Sequence, residues 1–262
     1  MTMTPTIAAP KSSLKFILAS VGSGVVLGFL LLEAGLRVFL GLGHPPLVEV
    51  DPQVGYYFRP NQDITRFGHH IVYNQFSQRS GPISLDKPPG VYRILLVGDS
   101  VLNGGTPTDQ KETISELVKA HLNTKMHRVE TLAASAGGWS IENRLGYLKK
   151  FGTLHSDLVV LQIGTEDLNQ YTTPISAVAD NPDTPTHDPL LATEEAWDRY
   201  LWPRIRSALP QHPVPAGAPT GEVVPEPVQF ERNMAMFGQI EEILKRDHLP
   251  FVVLFNPTRS SL

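Results

Sequence analysis

The chain has 262 residues, 41% of them hydrophobic and 18% charged, with a formal net charge of −4. That leaves room for one membrane segment and one medium domain with a sizeable core, and the absence of a basic footprint excludes nucleic acid as an expected partner. There is no cysteine, which excludes disulfides, thiolate metal sites, Cys nucleophiles and a lipid-modified N-terminal Cys.

Residues 1–13 read as a cytoplasmic N-terminus. Lys11 and Lys15 precede "FILASVGSGVVLGFLLL", residues 16–32, which carries no charge. "EAGLRVFLGLG" continues apolar to residue 43 apart from Glu33 and Arg37. The uncharged run exceeds the roughly 7–15 residues of a signal-peptide core. With its flank it approaches the ~20 residues needed to cross a bilayer, and no small-x-small cleavage site follows. Residues 14–42 are therefore expected to be a transmembrane signal anchor, single-pass in the cytoplasmic (inner) membrane. The two lysines keep the N-terminus inside, so the domain lies outside the cytoplasm. The lipid bilayer is the first expected partner. Glu33 and Arg37, spaced i, i+4, are placed to pair at the outer interface. Ser20, Gly24 and Gly28 form a small-residue ridge of the kind that packs against another helix.

Residues 43–90 are polar and rich in Pro and Gly, and read as a juxtamembrane linker with short extended pieces. From residue 91 to 262 a βα rhythm follows. "YRILLV" has the continuous apolar character of a parallel-sheet strand. "DQKETISELVKAHLNTK" places Ile114, Leu117, Val118 and Leu122 at helical spacing. "RVETLAAS" is a second strand, "IENRLGYLKKFGTL" a second helix with Ile141, Leu145 and Leu148 on one face, and "DLVVLQIG" a third strand. A proline-rich insertion over 171–227 interrupts the rhythm, with a short helix expected around "LLATEEAWDRYLWPRI". "PVQFERNMAMFGQIEEILKRD" is a helix striped by Phe230, Met234, Phe237, Ile240 and Leu244. "LPFVVLF" is a fourth strand. Alternating strands and helices of this length predict an α/β fold with an open parallel sheet and right-handed crossovers, and ligands in such sheets bind outside the carboxyl ends of the strands.

At one of those ends stands Gly-Asp-Ser, residues 98–100. A serine on that turn sits at the sheet rim within reach of substrate. The helix that follows offers free backbone N–H groups and a positive dipole end, which favour an oxyanion. Gly, Asp and Ser are also ordinary turn residues, so the triplet alone leaves both readings open.

The wider sequence, from about residue 33 to 257, resembles the SGNH/GDSL hydrolase superfamily, and within it the members with an N-terminal membrane helix. The resemblance begins at "EAGLRVF" and continues through "DPQVGYYFRPN" to "YNQFSQRSGPI". There Asn74 and Arg79 match a recurring element, while Ser77 stands in place of its glycine. Three blocks follow in order. "VGDSVLNGG" implies Ser100 as nucleophile, with its own N–H in the oxyanion hole. "LAASAGGWS" implies Gly138, or less closely Gly137, as the oxyanion-hole glycine. "LQIGTEDLNQ" matches the family's G-x-N-D. The resemblance implies a flavodoxin-like three-layer α/β/α fold and acyl transfer at an ester, with no cofactor and no metal. It also suggests an acylated cell-envelope glycan as a partner, with another membrane protein as the alternative.

Two departures stand against full activity. The family's oxyanion Asn is Glu166 here, and a carboxylate has no proton to donate at neutral pH and repels the developing charge. The family's last block, D-x-x-H, which supplies the base and its orienting acid, is not found downstream of the third block. None of His44, His69, His70, His121, His127, His155, His187, His212 and His248 stands where that base is expected, and Asp183 and His187 are spaced by four within the insertion. The last strand and helix that the resemblance implies are also not seen after "LPFVVLF", which predicts an exposed apolar edge. The expectation is a serine hydrolase lineage that is inactive or impaired, with a non-catalytic membrane-tethered binding or assembly subunit as the alternative. His69-His70 lacks partners at metal-ligand spacing and reads as a solvated pair. Trp139 in "GWS", and Trp197 and Trp202 in "WDRYLW", read as buried packing rather than sugar platforms.

Overall fold

The structure is a computed structural model and describes residues 14–124, 128–172, 175, 178, 181–209 and 226–257. The long helix α1 (Leu14–Leu40) carries the uncharged run. Its span Lys15–Leu40 is long and apolar enough to cross a membrane. Glu33 and Arg37 pair at 2.7 Å near its end, as their spacing requires.

The extended pieces between 43 and 90 are two antiparallel hairpins, β1 (Val48–Asp51) with β2 (Gly55–Phe58), and β3 (Gln62–Arg66) with β4 (His69–Tyr73). The first hairpin is built into the domain. Val48, Val54, Tyr56 and Tyr57 belong to the main apolar core, and Trp139 Nε1 donates to the Tyr56 carbonyl at 2.8 Å. Burying these side chains holds the connection between α1 and the sheet in place.

The four expected strands form one parallel sheet: β5 (Val91–Gly98), β6 (Arg128–Ser135), β7 (Leu158–Gly164) and β8 (Phe251–Asn256), in the order β6-β5-β7-β8. The chain passes from β5 to β6 on one side and then crosses to β7 on the other. The carboxyl end of β5 is therefore a topological switch point, where a crevice opens. Successive residues of β5 feed opposite layers, as strand geometry demands. Leu95 and Val97 join Leu132, Val159 and Leu161 under the helices α4 (Ile141–Phe151) and α7 (Glu226–Arg246). Ile94 and Leu96 join Val129 and Ala133 on the face that α3 (Ile114–Asn123) covers, with Leu122 packed against them. This is the α/β/α sandwich expected from the sequence.

The helix stripes differ from expectation in detail. On α7, Ile240 and Leu244 are buried, but Phe230 and Met234 are exposed and Gln229 and Asn233 are buried in their place. Asn233 Nδ2 donates to the carbonyls of Asp167, Leu168 and Gln170 at 3.1, 2.9 and 3.1 Å. The first half of α7 thus packs on a loop backbone, which needs donors rather than methyl groups. On α3, Ile114 and Leu117 face outward while Ser115 is buried. The apolar edge appears as expected: Val252, Val253, Leu254 and Phe255 of β8 are all exposed.

In the insertion, α5 (Ala192–Glu195), a wide π-type turn (Ala196–Leu201) and α6 (Trp202–Ala208) follow one another. The loop "PQHPVPAGAPTGEVVPEP" lies, except for its last two residues, outside the described residues. One reading is corrected here. Trp139 is fully buried, but Trp197 and Trp202 are 49% and 44% exposed. Trp202 lines a cavity with Pro45, Pro182 and Arg199.

Candidate active site

Ser100 follows β5 at the switch point and is exposed. The turn that carries it is tightly made. A Cβ on Gly98 would stand 2.4 Å from Gln162 Oε1 and 3.1 Å from Leu102 Cβ, so a side chain there would push Gln162 from its place. Gln162 Oε1 accepts from the Asp99 N–H at 3.1 Å, and Asp99 Oδ1 accepts from the Val101 N–H at 2.8 Å. The helix after the serine, α2 (Ser100–Asn103), is a single turn. The expected helix end is therefore shorter than the sequence suggested, and one of its N–H groups is already taken by Asp99.

Asn103 locks this turn to β6 by donating to the Ser135 carbonyl at 2.8 Å, and its Oδ1 accepts from the Tyr73 hydroxyl at 3.1 Å. The "NQFSQRSG" element has a scaffolding role. Asn74 Oδ1 accepts from the N–H groups of Phe76 and Gln78 at 2.9 and 3.1 Å. Buried Arg79 donates to the carbonyls of Gly105 and Thr108, at 3.2 and 2.7 Å, on the loop just past the serine. Ser77, where the resemblance implies glycine, sits at φ +62°, a left-handed backbone that glycine adopts without strain.

The second and third rim segments follow β6 and β7. Gly138 has φ +73°, and its carbonyl accepts from Gln170 Nε2 at 2.9 Å. Glu166 opens a single turn, Glu166–Leu168, after β7 and is exposed. Its neighbour Asp167 is buried and pairs with Arg144 of α4 at 2.8 Å, while its Oδ2 accepts from the Gly164 N–H at 2.6 Å. Burial pushes the Asp167 carboxyl up from its ordinary value, against the opposing pull of Arg144 and of the Gly164 N–H. Arg144 also donates to the Trp139 carbonyl at 3.2 Å and approaches Asp99 Oδ2 at 3.5 Å. One buried guanidinium therefore ties together all three rim segments.

Ser100 opens into a cavity of about 300 Å³ that Tyr56, Tyr73, Asn103 and Gly137 also line. The insertion supplies part of its wall: Asn181, Asp183, Thr184 and Arg199. Sequence reasoning missed Asn181, Thr184 and Arg199 as site residues, because no motif singles them out in a proline-rich stretch. None of the lining residues is a histidine. His187 lines a neighbouring cavity that shares Asn181 and Arg199 with the first, and Asp247-His248 lies just before β8, at the opposite end of the sheet from Ser100. His127 and His212 lie outside the described residues. The His70 ring pairs with Asp63 at 2.7 Å, and among the described residues no group of three or more His, Asp or Glu is gathered in a metal-binding arrangement.

A serine on a glycine turn, at the switch point of a parallel sheet, with glycine-bearing and acidic segments on the adjoining rim, is the layout of a serine hydrolase of the α/β class. The family model described as the GDSL-like lipase/acylhydrolase family matches residues 96–261, and the chain belongs to this family. Among solved structures it is similar to AlinE4, an SGNH-hydrolase family esterase, at 15% identity over 63% of this chain and 77% of that one, with a TM-score of 0.29. It is also similar to LAE5, an alpha/beta hydrolase enzyme from the metagenome of Lake Arreo, Spain, at 17% identity over 62% and 76%, with a TM-score of 0.28. A third is a catalytic mutant of Axe2, an acetylxylan esterase from Geobacillus stearothermophilus, at 13% identity over 62% and 75%, with a TM-score of 0.27. No curated protein matches the chain.

Proposed function

We propose that the chain is a membrane-anchored ester hydrolase or acyl-transfer protein that acts outside the cytoplasmic membrane, with Ser100 as nucleophile and with impaired turnover. The observation that carries this reading is the exposed Ser100 on its glycine turn, opening into a cavity at the switch point. In the reaction, Ser100 Oγ attacks an ester carbonyl and loses its proton to a base. The N–H groups of Ser100 and Gly138 hold the oxyanion, the alkoxide leaves with a proton, and water or an acceptor hydroxyl then takes the acyl group. An O-acylated glycan of the cell envelope is the proposed substrate class.

The rim supports impairment. Where an amide donor is expected, Glu166 offers none, and the loss of one such donor costs about 3–4 kcal/mol in the transition state, or ~10²–10³ in rate. Among the described residues no histidine lines the Ser100 cavity. The same Glu166 favours the second reading, a non-catalytic tethered binding or assembly subunit. p-Nitrophenyl acetate hydrolysis by the full chain in detergent, beside Ser100→Ala, tests the proposal. Equal rates at background sink the hydrolase reading and leave the non-catalytic one. Ser100-dependent turnover sinks the non-catalytic reading; turnover well above background also removes the impairment, and His187→Ala in the same assay then asks whether the insertion supplies the base.

A further inference from the structure

The reading of α1 as a membrane helix sets a depth scale, and the insertion is bolted to that scale. Glu33 and Arg37 are the first charges after the uncharged run. Glu33 accepts from the N–H groups of Ala192 and Thr193 at 2.7 and 3.0 Å, and Arg37 donates to the Leu190 carbonyl at 3.0 Å. A second clamp lies just past α1. Buried Glu195 accepts from the Gly43 N–H at 2.6 Å and pairs with Arg66 at 2.5 Å and with Arg199 at 3.1 Å. The start of the helical segment 192–208 is thereby held at the level where α1 leaves its apolar run. At a rise of about 1.5 Å per residue, Trp197 and Trp202 lie within roughly 8–15 Å of that level.

The segment exposes a run of apolar and aromatic side chains. Trp197, Leu201, Ile205 and Leu209 recur at four-residue intervals, and all are exposed. The π-type turn adds Trp202 to the same face. The Trp202 N–H bonds to the Trp197 carbonyl five residues back, and the two rings stack with centroids 6.1 Å apart. In a regular α-helix, residues five apart point to different sides. Residues 202–209 also carry Arg204 and Arg206 and no acid. Exposed tryptophan, aliphatic side chains and arginine on one segment, level with the end of a membrane helix, match the composition of the headgroup zone, with Glu194 and Asp198 as the exposed acids at its start.

We infer that residues 190–209 form a second membrane contact, lying in the headgroup zone of the bilayer that α1 crosses, with Trp197 and Trp202 as its anchors. The occupant of this exposed apolar face is thus lipid. Arg199, on the same segment, lines the Ser100 cavity, so the element that rests on the membrane is also a wall of the site. The site would then meet substrates presented at the membrane surface.

The inference rests on α1 spanning the bilayer, and the test separates the two. The full chain is reconstituted into vesicles of phosphatidylcholine with a minor fraction of phosphatidylglycerol, with and without bromine-labelled acyl chains. The chain has three tryptophans; α1 has none, and Trp139 is buried in the core, so it reports only that the fold is intact. The expected result is bromolipid quenching of the emission, with more than half of it lost in W197F/W202F. A protein that floats with the vesicles but shows the same bromolipid response with and without Trp197 and Trp202, and free quenching by acrylamide, overturns the inference and leaves the anchor standing. Emission insensitive to bromolipid that shifts to the red on dilution assigns the face to a second copy and also overturns it. A protein that does not float with the vesicles removes the anchor and the inference together.

Discussion

Arg144 of α4 and Asp167 of the β7 rim form a pair at 2.8 Å, with both side chains almost wholly buried. Neither belongs to the reacting groups. Asp167 is the residue after Glu166, and Arg144 reaches Asp99, the residue before Ser100. The pair therefore ties the turn that carries Ser100 to the turn that carries Glu166. Replacing Arg144 by Met leaves a buried carboxylate unpaired, a change that costs about 3–5 kcal/mol. The thermal midpoint of R144M in detergent should fall markedly, and Asp167→Asn added to it should recover part of the loss. Equal midpoints for wild type and R144M would show that the pair does not hold the rim.

Ser77 offers the opposite sign. Its φ of +62° is unfavourable for a side chain, and its buried hydroxyl has no partner among the described residues. Ser77→Gly removes the strain and the unmet hydroxyl together, while adding chain entropy to the unfolded state. The net expectation is a gain of about 1 kcal/mol, read as a higher thermal midpoint. A lower midpoint would contradict the strain argument.

Asp51 gives a pH dependence. Burial opposes its ionisation, but Lys150 Nζ at 2.6 Å and the N–H groups of Val54 and Gln53 outweigh burial and hold the carboxyl below its ordinary value of 3.8. With the folded value depressed, its contribution to stability is present above the unfolded value and is lost as pH falls through the folded one. Asp51→Asn should lower stability by about 1–3 kcal/mol near neutrality, and the gap to wild type should close in acid below pH 3.8. A gap that stays constant down to that range would show that the charge on Asp51 does not matter.

Asn233 tests the clamp on the third rim segment. Its Nδ2 meets three loop carbonyls, and Asn233→Leu should cost about 1–3 kcal/mol by leaving them unmet. Hydrogen exchange should rise locally over residues 164–170. Unchanged exchange there would place the clamp elsewhere.

The sheet was legible because its strands are continuous apolar runs between helical patterns, and all four fall where the pattern puts them. Ser100 was legible because the Gly-Asp-Ser turn needs glycine for a reason that the close approach of Gln162 makes plain. Other features escaped pattern reading because their partners are distant in sequence. Gln229 and Asn233 break an apolar stripe to satisfy a loop some sixty residues earlier. Asn181, Thr184 and Arg199 reach the Ser100 cavity only through the fold of the insertion. The first hairpin looked like a tether because its polar and proline residues mask the four core side chains it contributes. Trp197 and Trp202 looked like core residues because sequence alone does not reveal the wide turn that sets them together in a half-exposed stack.

The central claim is that Ser100 stands in the nucleophile position while Glu166 withholds the donor that its reaction needs. It is tested most directly by p-nitrophenyl acetate hydrolysis with wild type, Glu166→Asn and Ser100→Ala/Glu166→Asn. Restoring an amide should raise the rate by on the order of 10²-fold, and removing Ser100 should abolish the gain. A wild-type rate that already depends on Ser100 and falls in Glu166→Asn would contradict the claim.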